Sequence, residues 1–516
     1  MALLYKLLFQ LKLLLLLNLC CNCCKAYNFS VRNFGAKGNG VTDDTKAIQR
    51  AIDFAKGKKG TVFFPKGIYL VSNITVTANY LENYFLRIYS NIIFLGEGES
   101  TVIKVANHIL DKVDSNANAH VFYGVNIENV SFLKILIEMN GKYNLVPPKV
   151  IKNGCAIFID NGKNINIRKT TIQNCAGRNM VIIKGKGNTV LIDSNNFTNG
   201  GNYIGNTIEN KNQTDFSFVY CEWDSTVVTN NIITQKNIEI ALNWYTGGVE
   251  IHGSYCYAAY NKITGCNPGF YISSSWHQMQ NTIIEKNSLL NCIRGISFWV
   301  NFSMNYITIN ENKITLTKSR RLKPYCLVGI EVPNGNATLY DFTHANAATI
   351  SNLRITKNTI STNSKDSIND RTVGMILHSV QNSIIENNFI SKMNFGGIII
   401  QGSKWGSCNT NISNNIFSDF KPNVDLNIPS ALILINDEVD YIKYAFKSLD
   451  SIFIKSNSYR GQYSLVNKMN NIGGKHYEMY VTGSKALKKG IHFYNNFSKI
   501  NNDSIPFFYY DKAQKY

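Results

Sequence analysis

The sequence predicts an all-β chain: a single-stranded right-handed parallel β-helix, a solenoid, with a capping helix at its N-terminal end. Three observations carry this. A short unit, apolar-x-x-Asn-x-apolar, recurs along the chain. The segments between repeats read as two or three short strands of period two, such as Gly248 to His252, separated by Asn, Gly and Ser. Pro is scarce, 9 in 516 residues, and the repeats show no apolar periodicity of helical length.

Taken in chain order, Lys6 and Lys12 precede the apolar run Leu13 to Leu17, and Cys24-Lys25-Ala26 places small residues where a secretory leader is cleaved. Residues 1–26 therefore read as a signal peptide, with an uncleaved anchor or a lipoprotein through Cys20 as alternatives. The run is too short to span a bilayer comfortably, so no membrane span is expected in the mature chain. Four of the 12 Cys lie in this leader. The other eight show no tight metal-binding spacing, which favours disulfides or buried thiols over zinc.

The formal charge of +19 favours a polyanionic partner. An exported chain does not meet genomic DNA, so the expected partner is a polysaccharide, acidic or neutral, with no nucleic acid. Thr42 or Asp43 opens a helix running to about Ala55, which would seal the open end of the solenoid, and Gly60 to Tyr69 starts the first coil.

The repeat is anchored on Asn195, Asn230, Asn261, Asn287, Asn312, Asn358, Asn388, Asn415 and Asn457, spaced 25 to 46 residues apart. The shortest step approximates one coil, and the excess measures loops. A β-propeller blade needs roughly 40 residues or more, against which the short steps argue. Stacked coils pair each backbone group with the next and bury a continuous apolar column. Asn suits the bend because it tolerates left-handed backbone angles and can bond the Asn one coil away. The division is thus 1–26 leader, 27–460 β-helix and 461–516 C-terminal cap or extension.

The segment Phe29 to Ile52, reading FSVRNFGAKGNGVTDDTKAIQRAI, followed by Gly60 to Tyr69, GTVFFPKGIY, closely resembles the opening of the pectate lyase superfamily. That group includes polygalacturonase-like glycoside hydrolases (family 28), rhamnogalacturonase and epimerase-like domains, and phage tailspikes. The resemblance implies a β-helix acting on polysaccharide; tailspike relatives suggest a possible homotrimer. None of the polygalacturonase motifs is intact, although Ile251-His252-Gly253 resembles part of one.

Aligning coils on the repeated Asn puts Val219, Glu250, Tyr271, Ser297, Glu331, Ile376 and Ile399 in one outward column. Cys221, His252, Ser273, Trp299, Pro333, His378 and Gln401 fall in the next. Polar and aromatic residues collect between 215 and 333, so the middle coils form the candidate groove. Glycoside hydrolysis needs two carboxyl groups, and coils roughly 4.8 Å apart bring Asp215, Glu222 or Asp224 within reach of Glu250. Asp224 and Glu250 are the preferred pair, with His252 on the same face tuning their pKa values and open space beside it at Gly253. Trp244, Tyr271, Trp299 and Glu331 are the expected substrate contacts. Trp223 and Trp276 fall in the same stretch, Trp276 reading as a lid. Lys184, Arg294, Arg320 and Arg321 could complement acidic sugars.

Three functions follow: a secreted glycoside hydrolase on an acidic or complex glycan; a uronic-acid lyase or epimerase, with His252 or a Tyr as base; or a glycan-binding spike without catalysis. No cofactor is expected for the first, and Ca²⁺ is possible for a lyase.

Overall fold

The computed structural model describes residues 28–77, 82–109, 118–144, 154–175, 179–200, 216–236, 246–317, 326–332, 348–363, 371–401, 407–420, 430–436, 450–461, 476–482, 491–500, 503–506 and 509–511. The leader expected at 1–26 lies outside the described residues. No helix among the described residues is long and apolar enough to cross a membrane.

Alternating inward Ile, Val, Leu and Phe cannot be buried by one coil alone, and stacking solves this. The chain winds as a right-handed parallel β-helix of three sheets. The first sheet runs through Phe216–Cys221, Thr246–Ile251, Phe270–Ser273 and Arg294–Trp299, each strand parallel to the next. The second contains Asp224–Thr229, Tyr257–Ala259 and Met279–Glu285. The third contains Ile232–Thr234, Lys262–Thr264 and Ser288–Cys292. Their inward side chains, among them Ile251, Ile272, Ile284 and Ile263, are fully buried in one continuous core.

The bend from second to third sheet is the most regular feature. It always spans two residues, the first in the left-handed region with φ between 49° and 58° from Lys134 to Asn495. From Asn195 onward the second residue is Asn, and these residues form a ladder. Asn261 donates both its backbone N–H and its Nδ2 to Asn287 Oδ1, each at 2.9 Å, and Asn287 does the same to Asn312 at 3.0 Å. The ladder runs on to Asn496.

One step differs from expectation. The ladder member between Asn195 and Asn261 is Asn231, not Asn230. Asn230 is the left-handed residue before it, and its amide binds Asp193. Two adjacent Asn residues satisfy the same pattern, and only the one whose flanking Val228 and Ile233 point inward carries the ladder.

Where the third sheet turns into the first, Gly248, Gly269, Gly295, Gly329, Gly374 and Gly397 stack. A Cβ on Gly295 would lie 2.4 Å from the Gly329 carbonyl oxygen and 2.6 Å from Ile314 Cγ2. Gly295→Ala is expected to destabilise the fold by roughly 1–3 kcal/mol, since backbone cannot yield as a side chain can. Urea unfolding checks this.

At the N-terminal end, α1 (Thr45–Ala55) buries Ile48, Ala51 and Ile52. Asp43 Oδ1 accepts from the Thr45 backbone N–H at 3.0 Å, while Asp44 accepts from the Lys37 and Gly38 amides at 2.7 and 2.9 Å. These acids fix the loop and helix start. Beyond residue 460 the parallel pairing continues through His476–Thr482, Ile491–Tyr494 and Phe497–Ile500, and Asp503–Pro506 adds an antiparallel strand. The eight Cys of the described chain are free thiols, six of them buried.

Candidate functional site

The outward side of the first sheet gathers the chain's polar and aromatic side chains. Tyr220 pairs with Glu250, Glu250 with Tyr271, Tyr271 with Ser297, and Ser297 with Glu331. The expected column is therefore correct from Glu250 on. Val219 does not belong to it: it pairs with Val249 and is buried in the core. Cys221 likewise pairs with Ile251 and faces inward. Both slips are the one-residue consequence of choosing Asn230 over Asn231, and the correct register presents Tyr220 and Glu222 outward.

Glu250 and His252 point outward yet are enclosed, at 2% and 3% exposure. Glu250 accepts from Ser217 Oγ at 2.9 Å and bonds His252 Nε2 at 2.8 Å. The His252 ring stands 4.8 Å from that of Tyr220. Gly253 offers no open space, because a Cβ there would lie 2.1 Å from the Trp223 carbonyl oxygen. Asp224 accepts from the Ser254 backbone N–H at 2.6 Å, an arrangement that fixes a bend. The preferred Asp224 and Glu250 carboxylates are thus each committed to a different partner.

Glu222 is half-buried and held by two short bonds. Its Oε1 accepts from the Tyr220 hydroxyl at 2.6 Å and its Oε2 from the Gly185 N–H at 2.6 Å. The same Gly185 flanks Asp160, whose Oδ1 lies 2.5 Å from where its Cβ would stand. Amide nitrogen and Cβ of one residue are roughly 2.5 Å apart, so these carboxylate oxygens lie no more than about 7.6 Å from each other. Burial pushes the Asp160 carboxyl up from its ordinary range; Lys184 opposes this, and the charges of Glu222 and Glu82 add to it. For Tyr220, burial again comes first, followed by the neighbouring Glu222, and the phenol is pushed far above its ordinary value.

A carboxyl whose native pKa is raised favours its protonated form in the folded state. Stability from that preference is fully present below the unfolded value and is lost as pH rises through the folded one. Asp160→Asn is therefore expected to melt at or above the parent temperature at pH 7, with the difference vanishing below about pH 4. Thermal melts across pH test this.

On the N-terminal side, Lys184 lies 3.6 Å from Glu82 and 4.9 Å over the Phe158 ring. Glu82 also bonds buried His120 Nε2 at 2.7 Å, while His120 Nδ1 accepts from the Cys155 amide. Burial lowers the His120 pKa, so the neutral ring donates through Nε2. Tyr84 stacks on Tyr123 at 5.1 Å, and Arg87 covers Tyr123 at 4.8 Å.

The remaining expected residues divide. Tyr271 and Trp299 are half-buried on the same face, with ring centroids 6.4 Å apart. Glu331 is buried in an ion pair with Arg294 at 2.9 Å. Asp215, Trp244, Arg320, Arg321 and Pro333 lie outside the described residues. Trp223 is a core residue, with its indole N–H on the Lys184 carbonyl and its ring against Gly187.

The profile of the rhamnogalacturonase A/epimerase, pectate lyase-like family matches residues 28–297. The chain belongs to this family. Among curated relatives of this pectate lyase-like chain, plasmin and fibronectin-binding protein A of Streptococcus pneumoniae is 31% identical over 181 residues. That match covers 33% of this chain and 24% of the relative. Alginate lyase 7 of Azotobacter vinelandii is 46% identical over 81 residues, covering 15% of this chain and 9% of that protein. The chain thus spans under a quarter of the length of these relatives. The tailspike of E. coli bacteriophage HK620, solved with a pentasaccharide, shares the fold with a TM-score of 0.59 at 13% identity. It covers 88% of this chain and 80% of its own.

Glu82 lies 3.6 Å from the Lys184 ammonium, whose charge also acts on Asp160, and no group of three or more His, Cys, Asp or Glu side chains that could hold a metal ion occurs among the described residues.

Proposed function

We propose that this is an exported polysaccharide-active enzyme, a glycoside hydrolase that cleaves an acidic glycan on the outward side of the first sheet. The observation that carries the reading is the pair Asp160 and Glu222 on either side of Gly185. Hydrolysis needs one carboxyl that keeps its proton and one placed to assist water or attack. Asp160, raised by burial, protonates the leaving glycosidic oxygen. Glu222, oriented by Tyr220 and the Gly185 amide, serves the other role. Arg87 and Lys184 offer positive charge to sugar carboxylates nearby.

A uronate lyase or epimerase is the second reading, favoured by the Tyr220 hydroxyl at Glu222 and by the similarity to an alginate lyase. A phenol with so raised a pKa would act first as proton donor. One panel of acidic and neutral polysaccharides separates these readings. Hydrolysis yields new reducing ends without ultraviolet absorbance, elimination yields an unsaturated sugar that absorbs, and epimerisation leaves chain length unchanged. New ends whose yield is undiminished in both Asp160→Asn and Glu222→Gln would refute the proposed pair.

A further inference from the structure

We infer that the solvent-facing side of the Trp276 indole is a stacking platform for a pyranose ring of the bound glycan, immediately C-terminal of Asp160 and Glu222. This rests on the reading of the first-sheet face as a glycan site, and it adds a residue and a direction to it.

Trp276 occupies the turn that follows Phe270–Ser273, two coils beyond Tyr220. Its indole nevertheless reaches the Tyr220 hydroxyl and eases that phenol's pKa back down. The coil between them carries Glu250 and His252. One edge of the indole is therefore turned toward that hydroxyl.

The other side is open. Trp276 is 66% exposed, whereas Trp223, a residue of the same type one bend from the site, is 1% exposed. The core explains Trp223; it does not explain Trp276. The turn that holds it is anchored, with Ser274 Oγ donating to the Phe302 carbonyl at 2.6 Å and accepting from the Phe302 amide at 3.2 Å, and Ser273 and Ser275 hydroxyls paired at 2.5 Å. An anchored, open ring suits the apolar C–H face of a sugar, because little conformational freedom is lost when the ring is covered. Phe302, 45% exposed on the tethered neighbouring turn, extends the apolar strip away from Tyr220.

Charge gives the strip a direction. Arg87 and Lys184 lie on coils N-terminal to Glu222, while Tyr271, Ser273, Ser297 and Trp299 on the C-terminal side carry no charge and Arg294 there is neutralised by Glu331. A glycan lying along the axis would place carboxylates toward the first group and a ring face on Trp276.

The test uses full-length protein carrying Glu222→Gln, so that binding is read without turnover. Affinity electrophoresis and tryptophan fluorescence titration with alginate and polygalacturonate oligomers compare this parent with added Trp276→Ala or Trp276→Phe. The expected result is a loss of affinity of 10-fold or more for Ala, less than about 3-fold for Phe, and unchanged melting for both. Equal affinity of parent and Ala variant would overturn the inference. Equal losses in Ala and Phe would also overturn it, since they would place the effect in the N–H rather than the ring face. So would a parent that binds neither probe. Catalysis is judged separately: a Glu222→Gln protein that still cleaves would refute the acid–base pair and leave the platform standing.

Discussion

Glu222→Gln is expected to lower kcat on the responsive polysaccharide by roughly 10²- to 10⁴-fold, the range that proton transfer by a positioned side chain contributes. The substitution keeps the volume and leaves one oxygen able to accept from Tyr220. The amide group that replaces Oε2 would face the Gly185 N–H donor, so one bond of about 1 kcal/mol is lost at a half-buried bend. Stability should therefore change little while turnover collapses. Asp160→Asn should lose activity to a similar degree. Because the two groups act in one proton-transfer sequence, the double variant should be scarcely worse than either single one. The rate of the parent should also fall as pH rises through the raised pKa of Asp160, since an ionised Asp160 has no proton to give. Initial rates from pH 4 to 9, with reducing ends as readout, measure both effects. A fully active Glu222→Gln protein would end the hydrolytic assignment.

The second large effect concerns stability. Asn287→Ala is expected to cost roughly 3–6 kcal/mol, on about 1–3 kcal/mol for each buried polar group left unpaired. Asn287 Oδ1 accepts the backbone N–H and the Nδ2 of Asn261, and its own Nδ2 donates to Asn312 Oδ1 and to the Ala258 carbonyl at 3.0 Å. Neither Asn261 nor Asn287 is more than 2% exposed, so water cannot replace these bonds. Asp at this position would still accept from Asn261, but its ionised form cannot donate to Asn312 or Ala258. Its cost should therefore grow with pH. Urea midpoints followed by circular dichroism give the comparison, and an unchanged midpoint for Asn287→Ala would mean that the ladder is dispensable.

The fold was legible in the sequence because the Asn ladder and the inward apolar residues impose the same period. α1 was legible for the same reason, its buried Ile48, Ala51 and Ile52 being spaced for one helical face. The site was less so. Choosing Asn230 rather than Asn231 moved one coil by a single residue, and in a strand that exchanges the inner and outer sides. Tyr220 was hidden by that exchange. Asp160 was out of reach for a different reason. Its coil precedes Asn195, and at that bend the coils carry Ile135 and Thr170, so the ladder supplies no mark for alignment. The approach of Trp276 to the Tyr220 hydroxyl, two coils away, is one that no local pattern records.

The bend carrying the ladder is fixed at two residues, while the other two bends vary freely in length: 2 residues between Cys221 and Asp224, but 17 between Val332 and Ile350. Both variable bends border the first sheet. Added or deleted residues there would redraw the banks of the first sheet's outward side without disturbing how one turn of the spiral rests on the next. The architecture thus separates the part that must stay constant from the part that can diversify, and loops alone can reshape the surface beside the first sheet.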